Sequence, residues 1–259
     1  MRPENTLSAF RYALDLGVDV LELDVVVSAD RQVVVSHEPW FSAAICCTPD
    51  GQPLDVATER QHNLYELPYA RIRQYDCGLS RHPGFPEQHS EPAYKPLLGE
   101  VLLYAEHYTQ VLGRRPVQYS IEIKSSPAGD GLFHPAPADF FMLVLAEISA
   151  AQVGERVTLL CFDKRVLQVA RQQAPELPLC LLVEDERPAQ EHLQELGFLP
   201  AVYGMYHPLL TRGLADFLRA QGVEFVPWTV NHPEDMRRIL ALQPAGITTD
   251  YPDRLLALR

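Results

Sequence analysis

VDVLELDVVV, residues 18–27, is the stretch whose reading decides the fold. Its residues alternate: Leu21, Leu23 and Val25 fall at odd positions, with Glu22 and Asp24 between them. Successive side chains of a strand point to opposite faces, so this is a strand with one apolar face and one face carrying two carboxylates. The next residues, ADR, turn the chain, and QVVVSH brings it back as an antiparallel partner. A two-residue turn at Asp30-Arg31 predicts that His37 lies opposite Asp24, and shifting the turn back by one places His37 opposite Glu22. Either register brings an imidazole to the carboxylate pair.

Upstream, Asn5 and Thr6 are good helix N-cap residues. Leu7, Phe10, Ala13 and Leu14 follow at helical spacing, and Gly17 stops the run. Downstream, residues 38–96 dissolve into Pro, His, Gln and Tyr, which reads as an inserted excursion because ordinary connections are far shorter. Regularity then returns. Helical runs over 97–112, 138–152, 164–173, 189–196, 211–221 and 233–242 lead in turn to PVQYSIEIK, RVTLLCF, LPLCLLV, PAVYGMY, VEFVPWTV and AGITTD. A PDRLLALR helix closes the chain. With the strand at 19–27 this predicts seven strand-then-helix units, hence a parallel sheet with helical crossovers, one unit short of a closed eightfold barrel.

The 259 residues suit one large α/β domain, and 47% hydrophobic content is enough for its core. A net charge of -12 argues against a nucleic-acid partner, which would need clustered Lys and Arg. No uninterrupted apolar run reaches transmembrane length, and Met1-Arg2-Pro3-Glu4 lacks the apolar core of a signal peptide. The five cysteines are odd in number and show no CxxC spacing, so they read as reduced thiols. The expected compartment is cytoplasmic as the chain stands, and periplasmic or extracellular if an export signal precedes Met1.

In QYSIEIKS, Glu122 and Lys124 share a face as Glu22 and Asp24 do. Both strands therefore place polar residues inward near their C-terminal ends, where barrels build sites. Three converging carboxylates repel one another unless a cation sits between them, and oxygen donors suit Mg²⁺ or Ca²⁺. The bland alternative makes Glu22 and Asp24 solvated and pairs Glu122 with Lys124. His37 reads as metal ligand, general base or general acid. Trp228, in VEFVPWTV, reads as filling the barrel interior.

RPENTLSAF, GVDVLELDVVVSADRQVVVSHE, SIEIKS, PWTVNHPEDM and AGITTDYPDRL, in this order and spacing, together resemble the motifs of the glycerophosphodiester phosphodiesterase family. The resemblance implies an (α/β)₈ TIM barrel that hydrolyses glycerophosphodiesters to glycerol 3-phosphate and an alcohol with one divalent cation. It implies Glu22, Asp24 and Glu122 as metal ligands, His37 as one of two catalytic histidines, and Lys124 and Trp228 as substrate-binding residues. The family also carries a His-Arg-Gly motif on a strand ahead of the first helix. Nothing precedes Met1 here, so the expectation is a barrel lacking its first strand and a chain that is impaired or inactive as written. The rivals are a catalytically inactive binding protein of the same fold and a phospholipase D-type enzyme acting on intact lipid.

Overall fold

The structure, a computed structural model, describes residues 1–258. The chain forms two compact units, Met1–Val157 and a second that begins at Thr158. The first contains α1 (Leu7–Leu16), β1 (Val20–Val27), β2 (Val33–Val35), α2 (Tyr69–Ile72), α3 (Leu98–Val111), β3 (Gln118–Ile123) and α4 (Pro137–Ala150).

Helix α1 starts where Thr6 Oγ1 accepts the Ala9 N–H, and it stops at Gly17, whose left-handed φ of 82° lets its N–H reach the Ala13 and Leu14 carbonyls. Strand β1 pairs in parallel with β3, with Glu22 beside Ser120 and Asp24 beside Glu122. The opposite face carries Leu21, Leu23, Val25, Tyr119, Ile121 and Ile123, all buried. Burying each such side chain contributes about 1.5–3 kcal/mol.

The hairpin register differs from both registers predicted. Val25 pairs with Val35, so Ser36, not His37, stands opposite Asp24 and donates its N–H to the Asp24 carbonyl at 3.0 Å. The cause is a three-residue loop closed by Ser28 and Gln32, with Arg31 in the left-handed region at φ 61°. Ser28 Oγ fixes that loop through Asp30 and the Gln32 N–H.

Between β2 and α3 the chain builds its own core. Phe41, Ile45, Cys46, Leu54, Leu64, Ile72 and Cys77 bury together with Val26 and Val34. Val26 lies on the same face of β1 as Glu22 and Asp24, so this segment covers the sheet face just beyond the carboxylates. The cluster also corrects the reading of five reduced thiols. Cys46 and Cys77, 31 residues apart, are brought to a Cα–Cα distance of 3.9 Å and joined as a disulfide, while Cys47, Cys161 and Cys180 remain thiols. No sequence spacing advertised that pair, because packing and not a motif brings it together.

The second unit takes up β4 (Val157–Cys161) and continues with α5 (Lys164–Gln173), β5 (Leu179–Val183), α6 (Ala189–Leu196), β6 (Val202–Tyr206), α7 (Arg212–Ala220), β7 (Glu224–Trp228), α8 (Pro233–Leu240) and α9 (Pro252–Leu256). Strands β4 to β7 pair in parallel in sequence order. Gly204 of β6 is required there: a Cβ would come within 2.7 Å of Leu182 Cδ2 and 2.9 Å of Cys180 Sγ. The expected strand AGITTD is not regular. It follows β7 through the Ala245 and Thr248 N–H groups, bonded to the Phe225 and Pro227 carbonyls, and the Thr248 carbonyl accepts from Val230. Among the described residues, no helix is long and apolar enough to cross a membrane.

Candidate active site

Two neighbouring parallel strands set the geometry. Because Asp24 and Glu122 are register partners and Glu22 lies two residues earlier, the three carboxylates offer oxygens within 4.8 Å of one another. Asp24 is 5% exposed and Glu122 8%. Lys124, two residues past Glu122 on the same face, brings its ammonium 2.8 Å from Glu122 Oε1 and 3.5 Å from Asp24 Oδ1. Burial, then the neighbouring Asp24 charge, push the Glu122 carboxyl up, and Lys124 offsets this only in part. Burial works against the Lys124 ammonium too, but Glu122 and Asp24 outweigh it and hold its pKa above the usual lysine range.

The PENT stretch supplies the support. Asn5 takes a left-handed φ of 53°, a conformation Asn tolerates better than most residues. Its amide brackets Asp24: Nδ2 donates to Oδ2 at 2.9 Å, and Oδ1 accepts the Asp24 N–H at 3.3 Å. Thr6 therefore caps α1 alone, with its hydroxyl donating to the Pro3 carbonyl at 2.6 Å. Glu4 faces His37, Lys95, Glu38 and Asp24, and burial raises its carboxyl.

His37 follows β2 with its side chain 52% exposed, and its Nδ1 is 2.7 Å from Glu38 Oε1. The hydrogen bond to Glu38 raises the imidazole to about 9 against the cost of burial, and the Asp24 charge adds to the rise. Beneath them lies Lys95, buried, its ammonium donating to Ser36 Oγ at 2.7 Å.

The structure thus brings together Glu22, Asp24, Glu122 and Lys124, with His37 in their electrostatic field. Trp228 ends β7 in the second unit, where it meets Phe162 edge-on at 5.5 Å and Tyr206 at 5.7 Å. Its indole Nε1 is buried, with no hydrogen-bond partner among the described residues. Asn5, Ser36, Glu38 and Lys95 were not read as site residues. Asn directly ahead of an N-cap Thr is the signal that could have found the first. The others depend on the loop length at Ser28–Gln32 and on the return of the chain at Lys95.

The donor set fits a hard divalent cation. All three groups are carboxylates, two are buried, and one ammonium, Lys124, faces the three of them. Strands alternating with helices, with such a cluster on one face of two parallel neighbours, define an α/β-barrel enzyme. The chain belongs to the glycerophosphoryl diester phosphodiesterase family, whose profile matches residues 1–254. It is 26% identical to a glycerophosphodiester phosphodiesterase of Caldanaerobacter subterraneus over 99% of this chain and 92% of that one. A crystal structure from Silicibacter pomeroyi, classed with the glycerophosphoryl diester phosphodiesterases, superposes with a TM-score of 0.89 at 31% identity, covering 100% of this chain and 89% of that one. An Oleispira antarctica phosphodiesterase, solved with its product sn-glycerol-3-phosphate, superposes with a TM-score of 0.77 at 19% identity over 99% and 91% of the two chains.

Proposed function

We propose that this chain hydrolyses glycerophosphodiesters to glycerol 3-phosphate and an alcohol, using one divalent cation, Mg²⁺ or Ca²⁺, held by Glu22, Asp24 and Glu122. The convergence of those three carboxylates from two adjacent strands carries the reading. When bound, the cation supplies Lewis-acid polarisation of a non-bridging phosphoryl oxygen. Lys124, poised between Asp24 and Glu122, offers a second positive charge to the same phosphate.

His37 performs one of the two proton transfers. Its raised pKa keeps it protonated at neutral pH, so it donates its proton to the departing alkoxide oxygen as the P–O bond breaks. Glu38 orients the ring and stabilises the imidazolium before transfer. Within the second unit, Trp228 forms an aromatic cluster with Phe162 and Tyr206, a surface of the kind that suits a carbon skeleton.

The test is release of glycerol 3-phosphate from glycerophosphocholine by the full chain, with Mg²⁺ and with Ca²⁺, beside His37→Gln and Asp24→Asn. The expected result is metal-dependent release that both substitutions reduce by about 10²-fold or more. Folded protein that releases none with either cation overturns the proposal. Cleavage of lysophosphatidylcholine in preference to glycerophosphocholine replaces it with a lysophospholipase D activity.

A further inference from the structure

Lys95 is a buried charge for which the proposed chemistry has no direct use. Its side chain is 5% exposed, and removing an ammonium from water is costly unless its surroundings repay it. Its backbone is held in place: the Pro96 carbonyl accepts the Val35 N–H at 2.8 Å, and the Lys95 carbonyl accepts the Tyr69 hydroxyl at 3.3 Å. The ammonium points at the end of β2 and donates to Ser36 Oγ at 2.7 Å. Ser36 Oγ donates onward to the Glu38 carbonyl at 2.6 Å, and the Ser36 N–H bonds the Asp24 carbonyl at 3.0 Å. Ser36 is fully buried, so this route from Lys95 to Glu38 is closed to bulk solvent.

We propose that Lys95 is a positioning residue: through Ser36 it fixes the turn that carries His37 and Glu38 and so holds the proton donor in place beside Asp24. The inference rests on His37 acting as that donor. The charges around Lys95 agree with it. Burial lowers the Lys95 pKa, while Glu4, Glu38 and Asp24 oppose the fall and favour its charged form. Phe41 closes the remaining side, its ring centroid 5.9 Å from the ammonium. The groups facing His37 are Glu38, Asp24 and Lys124, together with Glu4.

Lys95→Met and Ser36→Ala, made in the full chain, separate three roles. If Lys95 positions the pair, the His37 Nδ1–H resonance held by Glu38 is lost in the NMR spectrum of the metal-free protein. His37 then titrates below about 9, toward its ordinary 6.5. With glycerophosphocholine and Mg²⁺, kcat falls about tenfold while KM changes by less than about twofold, the pattern of a weakened general acid. A lysine acting only as a nearby charge does the opposite, because its removal raises the His37 pKa. A lysine that merely fills space lowers the melting temperature and leaves the His37 titration unchanged. An unchanged or raised titration in folded Lys95→Met overturns the proposal. Should that variant not fold, Ser36→Ala decides alone, since it keeps the charge and removes the relay. A wild-type chain that hydrolyses no glycerophosphodiester defeats the function proposed above, while the NMR titration still decides the role of Lys95.

Discussion

Replacing Glu122 with Gln tests whether the carboxylate cluster is held for function at the expense of stability. Glu122 is buried, and its carboxyl rises from the ordinary 4.5 to about 7 through burial and the charge of Asp24. The sign follows from linkage: a folded pKa above the unfolded one means the folded state binds the proton more tightly. The penalty of the anion is therefore absent below pH 4.5 and complete above about pH 7. The rise already contains the attraction of Lys124 at 2.8 Å, so at 1.36 kcal/mol per pKa unit it expresses a net penalty of about 2–3 kcal/mol. Metal-free Glu122→Gln at pH 8 is then more stable than wild type by about that amount, or about 4–12 °C in melting temperature for a chain of this size. The gain shrinks toward zero or below as the pH falls to 4.5.

A divalent cation acts in the opposite direction. If Mg²⁺ or Ca²⁺ is supplied at about a hundred times its dissociation constant, wild type gains about 2.7 kcal/mol and the variant far less. Thermal unfolding at pH 5 and pH 8, with chelator and with each cation, gives all the numbers required. Destabilisation of metal-free Glu122→Gln by several kcal/mol at pH 8 refutes the electrostatic reasoning. An undiminished cation-induced shift in the variant refutes the ligand role.

Four further outcomes follow from the geometry. His37→Gln lowers kcat by about 10²–10⁴-fold and leaves the cation-induced melting shift intact, read by steady-state kinetics beside calorimetry. The stabilisation linked to the raised His37 pKa is complete below pH 6.5 and lost as the pH rises through about 9. Because half of that side chain lies in solvent, screening leaves it worth about 1 kcal/mol in urea unfolding curves. Asn5→Ala removes both hydrogen bonds to Asp24 from a residue at positive φ, so it costs about 2–3 kcal/mol and weakens cation binding, whereas Asn5→Gly recovers the backbone part of the loss. Gly204→Ala overpacks Leu182 and Cys180 and lowers stability by about 1–3 kcal/mol with no change in the cation-induced shift.

What could be read from the sequence and what could not divide along a physical line. The carboxylate trio was legible because strand periodicity is local: Glu22 with Asp24, and Glu122 with Lys124, share faces whatever surrounds them. Helix ends at Thr6 and Gly17 were legible for the same reason. The place of His37 was not, because it hinges on whether two or three residues turn the hairpin, and Arg31 takes the left-handed position without being Gly. AGITTD shows the same limit from the other side. Its composition is that of a strand, but it lies beside β7 with too few regular bonds to be one. The Cys46–Cys77 pair and Lys95 depend on how residues 38–96 fold back, and that segment has almost no periodicity to read.

The supports around the trio share a design that explains why they escaped a motif reading. Each acts on a carboxylate or on the histidine through one or two hydrogen bonds from a different part of the chain: Asn5 from ahead of α1, Ser36 from the end of β2, Lys95 from ahead of α3. None has the chemistry of the reaction, and each is common in loops, so none stands out by residue type. Their effect is electrostatic and geometric. Asn5 carries no charge and fixes Asp24 without neutralising it. Lys95 brings positive charge to Glu4, Glu38 and Asp24 at the covered side of the site, away from the Lys124 ammonium that takes up Glu122. The proposed cation site has to stay negative yet remain folded without its cation, and the two kinds of support serve these two needs.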